Sequence, residues 1–243
     1  MSRVIRIFTE KSPTNLGEEI VLPASESTHL ARVLRIKEGD PVEVLDGRGG
    51  RFPAQCLQVS RSRVTVHINE VRQNTAQVPA IRMAIAMGKG NKWDDLIRPL
   101  TELGVSVLTP LLTERTEGSV SSSKLQDKKE RWQKLAQEAC KQSGNTWMPK
   151  FEDPITFTEF VSGIAHEDEY WMTSLAPHTT SFAPKRTAER ISIFIGPEGG
   201  WSLKEEEIAK VAGVKCFSLG PHVLRLETAA VSALAVARQY LLC

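Results

Sequence analysis

The hydrophobic pattern of this chain changes its period once, and that change restricts the fold more than any other feature. Up to about Arg72 the apolar residues fall into short alternating runs: VIRIF at 4–8, EEIVLP at 18–23, PVEVLDG at 41–47, RFPAQCLQV at 51–59 and RVTVHINEV at 63–71. Turn signals such as Lys37-Glu38-Gly39-Asp40 and Asp46-Gly47 separate them. Short strands joined by turns predict a small β-barrel over residues 1–72. The one helical pattern there spans residues 26–34, with Leu30, Val33 and Leu34 at helical spacing and Arg32 and Arg35 together on the other side.

The stretch Gln73-Asn74-Thr75-Ala76-Gln77, followed by Pro79, has neither periodicity nor bulk. It reads as a linker over 73–80 and as the domain boundary. Beyond it the grammar alternates between strand and helix through residues 81–243. IRMAIAM at 81–87 is a buried type of strand, and Trp93, Leu96, Ile97, Leu100 and Leu103 step along one helix face. VSVLTPLLT at 105–113 is the next strand, and a longer helix over about 124–143 stops at Gly144. The run 119–123 reads as a loop. EYWMTSL, ISIFI and VKCFSL give three more strands. The last two are linked by a helix that Ser202 and Glu205 open with capping-box spacing, and a final helix starts near Glu227. Alternation of this kind predicts an α/β domain with a mostly parallel sheet covered by helices on both faces.

Composition enters mainly by exclusion. A chain of 243 residues that is 41% hydrophobic and 25% charged is neither disordered nor fibrous. The four cysteines, Cys56, Cys140, Cys216 and Cys243, show no C-x-x-C spacing, so zinc and disulfides are not expected and no metal site is assigned. The charged start MSRVIRIFTEK and the lack of any run of about 18 apolar residues speak against export and membrane spanning, so a reducing cytoplasm is expected. A net charge of +2 is uninformative, but its distribution is not. Between Gly47 and Asn69 the formal charges are Arg48, Arg51, Arg61 and Arg63, and HLARVLRIK adds Arg32, Arg35 and Lys37. Either this is a basic face for phosphates, or it is a solvated surface balanced by Glu18, Glu19, Glu26 and Glu43.

Two compact loops, IGPEGGW at 195–201 and LGPHVLRLETAA at 219–230, each stand between a strand and a helix. The carboxyl ends of neighbouring strands are where an α/β sheet builds a ligand crevice. Neither loop fits G-x-G-x-x-G or a phosphate loop ending G-K-[ST], and Gly88-Lys89-Gly90 is a weak echo only. In the first loop Pro197 stiffens the turn, while Gly196, Gly199 and Gly200 permit positive φ or close backbone approach, which suits a flat heterocycle held by main-chain groups. An ordinary left-handed turn before a capped helix is the alternative. Glu198 is either solvent-facing or held by a cation such as Arg225. Arg225 and Glu227 are equally readable as a surface pair opening the last helix, with Thr228 partly capping it.

HLARVLR (29–35), ELGV (102–105), the E-A-C-x-Q-S-G run (138–144), GPEGG (196–200) and LGPHVLRLETA (219–229) together resemble the ribosomal RNA small subunit methyltransferase E family, bacterial 16S ribosomal RNA uracil-N3 methyltransferases. The resemblance spans nearly the whole chain in order. It implies S-adenosylmethionine as methyl donor and 16S ribosomal RNA of the small subunit as substrate, the target being the uracil at position 1498 in the usual nucleotide numbering. It further implies a SPOUT-type domain with a trefoil knot, a PUA-like barrel in front of it, and a homodimer. The chain departs from the family's pattern at His222, Asn145 and Pro99, where cations are usual.

On this resemblance the cofactor would be held by Leu175, Gly196, Pro197, Gly199, Gly200, Leu219, Gly220, Leu224, Thr228 and Ala229. Arg225 would face the charge that develops on a uracil carbonyl, with Glu198 or Glu227 orienting it. Arg6, His29, Arg32, Arg35 and Lys89 would contact RNA. Two rivals share parts of the pattern: a SPOUT enzyme acting on another RNA position or on a ribose hydroxyl, and a noncatalytic RNA-binding factor of ribosome assembly. The last helix, apolar on more than one face, suits either a dimer interface or a core position.

Overall fold

The computed structural model describes residues 4–88, 92–116, 122–165, 168–175, 179–185 and 187–242. Its backbone separates into two compact units, one formed by residues 1–76 with 137–148, the other by residues 77–136 with 149–243. Lys89, an expected RNA contact, lies outside the described residues, as do Cys243 and residues 119–121 of the expected serine-rich loop; Ser122 and Ser123 already belong to a helix.

In the first unit the strands are β1 (Arg6–Phe8), β2 (Glu19–Val21), β3 (Pro41–Leu45), β4 (Gly50–Val59), β5 (Val64–Ile68) and β6 (Arg72–Gln73). Their order is β1-β3-β4-β5-β2, with β6 on β4, so Gln73, the first residue of the expected linker, pairs in the sheet. β1 runs parallel to β3 and the other pairs are antiparallel. Alternation sends Ile7, Ile20, Val42, Val44, Phe52, Ala54, Val64 and Val66 into one core, the arrangement expected of a small barrel. Among the described residues no ladder joins β1 to β2.

The expected helix over 26–34 forms differently. α1 covers Ala24–Thr28, and His29–Leu34 continues as a π-helical turn ending at Arg35, whose φ of 52° is left-handed. Its wider turn breaks the 3.6-residue spacing on which the apolar stripe was counted. Leu30 is fully buried, whereas Val33 and Leu34 are 65% and 44% exposed.

The second unit carries β7 (Ala80–Ala86), α2 (Lys92–Glu102), β8 (Val107–Leu112), α3 (Ser122–Ser143), β9 (Lys150–Phe151), β10 (Ile155–Thr156), α4 (Phe157–Ser162), β11 (Glu169–Thr173), β12 (Arg190–Ile195), α5 (Leu203–Val211), β13 (Lys215–Phe217) and α6 (Leu226–Leu242). The last turns of α3 cluster with the first unit. All pairings in this sheet are parallel, in the order β10-β8-β7-β12-β11-β13 with β9 on β8. This is the α/β domain that the alternation predicts. The short β9, β10 and α4 carry too few residues to show a period, so hydrophobic spacing does not mark them.

Ile191, Ser192, Ile193, Phe194 and Ile195 of the central β12 are all buried, which requires cover on both faces. Phe194 meets Phe157 and Phe160 of α4 edge-on, at 5.5 and 5.1 Å between ring centroids. α6 packs against α2, β7 and β12 through Leu226, Ala230, Ala233, Leu234 and Ala237, while Val236 and Leu242 stay exposed. Trp132 of α3 is fully buried against Trp93 and donates its indole N–H to Asp94 at 2.9 Å. The α5 capping box is present: Glu205 N–H donates to the Ser202 hydroxyl and Ser202 N–H to the Glu205 carboxylate. No described helix is long and apolar enough to cross a membrane.

Candidate functional site

A parallel sheet brings every strand's carboxyl end to one edge, and the loops there leave backbone groups unpaired. The two glycine loops do meet at that edge, but not as neighbours, since β11 lies between β12 and β13. The crevice therefore has three walls. Thr173, Ser174 and Leu175 after β11 supply the middle one, between Ile195, Gly196, Pro197, Glu198, Gly200 and Trp201 after β12 and the segment from Leu219 to Ala229 around the start of α6. The cavity between them is about 290 Å³.

Of the expected cofactor residues, Leu175, Gly196, Pro197, Gly200, Leu219, Gly220, Leu224 and Ala229 line this cavity. Thr228 does not, and Gly199 turns instead to a second cavity. The three glycines also separate by cause. Gly200 adopts φ of 72°, whereas a Cβ on Gly196 would stand 2.9 Å from the Trp201 indole. Gly199 needs neither freedom, because a Cβ there would meet Arg115 at an ordinary 3.4 Å. Trp201 is fixed in turn by donating Nε1–H to the Thr173 carbonyl at 2.9 Å and by packing on Phe157. One indole thus ties the loop after β12 to the end of β11.

The second cavity, about 480 Å³, lies on the other side of the β12 loop. Met87 and Gly88 after β7, Lys92 of α2, and Glu114, Arg115 and Thr116 after β8 line it, together with Pro197, Glu198, Gly199 and Leu226. Pro197, Glu198 and Leu226 belong to both cavities. Strand order accounts for this: β12 is central, so its loop separates the β11 and β13 side from the β7 and β8 side.

Glu198 is held by a cation, but the cation is Lys92, not Arg225. Arg225 is exposed, lines neither cavity, and has no side-chain partner among the described residues. An exposed guanidinium acts through high-dielectric solvent, which weakens the expected role beside a carbonyl. Glu227 is half-buried at the first turn of α6 with its Oε2 unpartnered, so it does not orient Arg225 either. Lys92 and Arg115 are absent from the expected set. The sequence signal for Lys92 is its place at the start of a helix beside Gly88-Lys89-Gly90; Arg115 carries none. Arg115 donates to the Gly199 carbonyl, and Glu205 accepts from Glu114 N–H at 3.0 Å, tying the loop after β8 to the β12 loop and to α5. Hydrogen bonding from Ser202, against a desolvation effect and aided by Lys204, holds the Glu114 carboxyl below its ordinary range.

In the first unit His29, Arg32 and Arg35 are exposed together on the π-helical turn. Arg6 is committed elsewhere. Its Nε donates to Glu43 at 2.7 Å and its Nη1 to the Lys141 and Gln142 carbonyls at 3.2 and 3.3 Å. Arg51 donates to the Gly144 carbonyl at 2.7 Å, so two guanidinium groups satisfy carbonyls at the end of α3 and just past it. The phosphate role expected of Arg6 gives way to this capping role. Lys141 is bound by Glu26 and Glu138, each at 2.7 Å. Burial opposes its charge, but the two carboxylates outweigh that and raise its pKa.

Residues 75–238 match the RNA methyltransferase domain family, and residues 22–69 match the RNA methyltransferase PUA domain family. Over 221 residues the chain is 35% identical to ribosomal RNA small subunit methyltransferase E of Synechocystis sp., covering 89% of this chain and 71% of that protein. The chain belongs to the ribosomal RNA small subunit methyltransferase E family. The family member of Bacillus subtilis is 28% identical over 242 residues, 94% of each chain. Among solved structures, the family member of Neisseria gonorrhoeae bound to S-adenosyl methionine superposes with a TM-score of 0.88 at 25% identity, over 97% of each chain. A methyltransferase of Legionella pneumophila in complex with the same cofactor gives 0.86 at 30% identity, over 98% of each chain.

Proposed function

We propose that the protein transfers a methyl group from S-adenosylmethionine to N3 of a uracil in 16S ribosomal RNA of the small ribosomal subunit, the uracil at position 1498. The observation that carries this reading is the three-walled cavity at the carboxyl edge of the sheet in a chain of this family. Its lining fits the cofactor. Leu175, Ile195, Pro197, Leu219, Leu224 and Leu226 offer apolar walls to a flat adenine, with main-chain groups at the strand ends to hydrogen-bond its edges. Among the described residues the charged side chains of the lining are Glu198 and Glu206, with no lysine or arginine, which suits a sulfonium cation.

Bound S-adenosylmethionine supplies the methyl: N3, its proton passed to a carboxylate or to water, forms the new N–C bond as the S–C bond breaks and its electron pair stays on sulfur. The chain's own residues orient the partners and exclude water. Gly196 lets Trp201 close on the strand ends, and Gly200 turns the β12 loop toward α5. Arg225, exposed between the lining residues Leu224 and Leu226, is assigned to the RNA at the cavity mouth, and exchange for Ala should raise KM more than it lowers kcat.

His29, Arg32 and Arg35 bind phosphates and position the RNA without reading bases. A trefoil knot is part of the same reading. A homodimer and a cytoplasmic location complete it, with α6, which leaves Val236 and Leu242 exposed, as the element that meets a second copy, checked by mass measurement in solution. The activity itself is tested by methyl transfer to small subunits and to naked 16S RNA from a strain lacking the modification, with the methylated base identified by mass spectrometry. A product other than N3-methyluridine refutes the reading.

A further inference from the structure

We propose that the second cavity is the acceptor pocket, and that Lys92 and Arg115 hold the two carbonyl oxygens of the target uracil ring. The inference rests on the uracil reaction proposed above and adds to it the residues that receive the base. Three observations converge on it. In-line transfer needs an acceptor site that adjoins the methyl donor, and the two cavities share Pro197, Glu198 and Leu226 as a common wall. Cations stand on one side: among the described residues the first cavity's lining holds Glu198 and Glu206 and no lysine or arginine, while the second holds Lys92 and Arg115 beside Glu114 and the shared Glu198. A uracil that has lost its N3 proton carries negative charge spread over both flanking oxygens, so it is stabilised by cations on that side and not on the other.

The third observation is that both cations are already held in place. Lys92 pairs with Glu198 and lies along Gly88, where an added Cβ would come within 3.2 Å of its Cδ. Arg115 is anchored by the Gly199 carbonyl. An ammonium has three donors and a guanidinium five, so each keeps donors for a ring oxygen while held. Fixed donors cost no reorganisation when the charge develops. Glu198 is then a positioning residue, keeping Lys92 over the cavity.

The experiment uses the full-length protein with Lys92→Met, Lys92→Arg and Arg115→Gln, and with Lys92→Met combined with Glu198→Gln so that no carboxylate is left without its cation. Single-turnover methyl transfer to unmodified small subunits is measured against pH, and S-adenosylmethionine affinity by calorimetry. Loss of either cation should lower the transfer rate about 100-fold while cofactor affinity stays within about twofold of the parent. The pH profile of Lys92→Met should move to higher pH, because the imide proton leaves less readily, and Lys92→Arg should restore most of the rate. Parental rate and pH profile in both neutral variants would overturn the assignment, as would loss of cofactor binding. A parent protein that makes a product other than N3-methyluridine would overturn the reaction reading and this pocket with it. Parental N3-methyluridine with unaffected variants would overturn this inference alone.

Discussion

Replacing Gly196 by Ala isolates the steric part of the cofactor loop. The new Cβ would stand 2.9 Å from Trp201 Cε2, 3.0 Å from Nε1 and 3.3 Å from Cδ2. Trp201 cannot retreat cheaply, being 8% exposed, 4.9 Å from Phe157 between ring centroids and bonded to the Thr173 carbonyl at 2.9 Å. Overpacking of this kind costs about 1–3 kcal/mol, and loss of the indole hydrogen bond about 1 kcal/mol more. The expected loss is therefore about 2–4 kcal/mol, divided between stability and cofactor binding because Thr173, Gly196 and Trp201 all line the cavity. Each 1.4 kcal/mol that falls on binding weakens it about tenfold. Gly199→Ala is the control, since its Cβ would meet Arg115 at 3.4 Å, and it should change stability by under about 0.5 kcal/mol. Urea unfolding followed by tryptophan fluorescence, with calorimetric titration of S-adenosylmethionine, reads both effects. Equal behaviour of the two variants would refute the argument that close approach to Trp201 is what requires glycine at 196.

Ser202→Ala removes one half of the α5 capping box and should cost about 1 kcal/mol in denaturant unfolding. Arg32 and Arg35, exchanged together for Gln, should leave stability unchanged and reduce the slope of log affinity for RNA against log salt by about 1.5–2, whereas Arg6→Met should lower stability because the carbonyls ending α3 lose their donor. Burial pushes the Cys56 thiol up to about 11, with Asp40 adding to it, and the Cys140 thiol up to about 12. Both are therefore protonated at pH 8, so iodoacetamide should label neither in the folded protein and both after unfolding, as peptide mass mapping would record.

The order of elements was legible in the chain because each signal is local. Alternation over a few residues marks β3 to β5, the stripe from Trp93 to Leu100 marks α2, and Ser202 with Glu205 marks the start of α5. The glycine loops were legible as a ligand crevice for the same reason, since each punctuates one strand and one helix. Their third wall was not. That Ser174 and Leu175 stand between them follows from β11 pairing with both β12 and β13, a choice made among strands whose periods are alike. The π-helical turn at His29–Leu34 was missed because hydrophobic spacing is counted on a period that this turn does not keep.

The sequence by itself determined a β-rich part followed by a strand-and-helix part, the helix caps, and the motifs that place the chain in its family, all properties of residues within a few positions of one another. Tertiary structure alone decided which charges meet. Lys92 and Glu198 are 106 positions apart, and Arg6 reaches the end of α3 across 135. Sheet order and packing bring such pairs together, and because any of several carboxylates satisfies a cation equally well by type, residue type alone does not choose between them. Arg225 beside Glu198 is a reasonable pair on paper; the central position of β12 gives Glu198 to Lys92 instead.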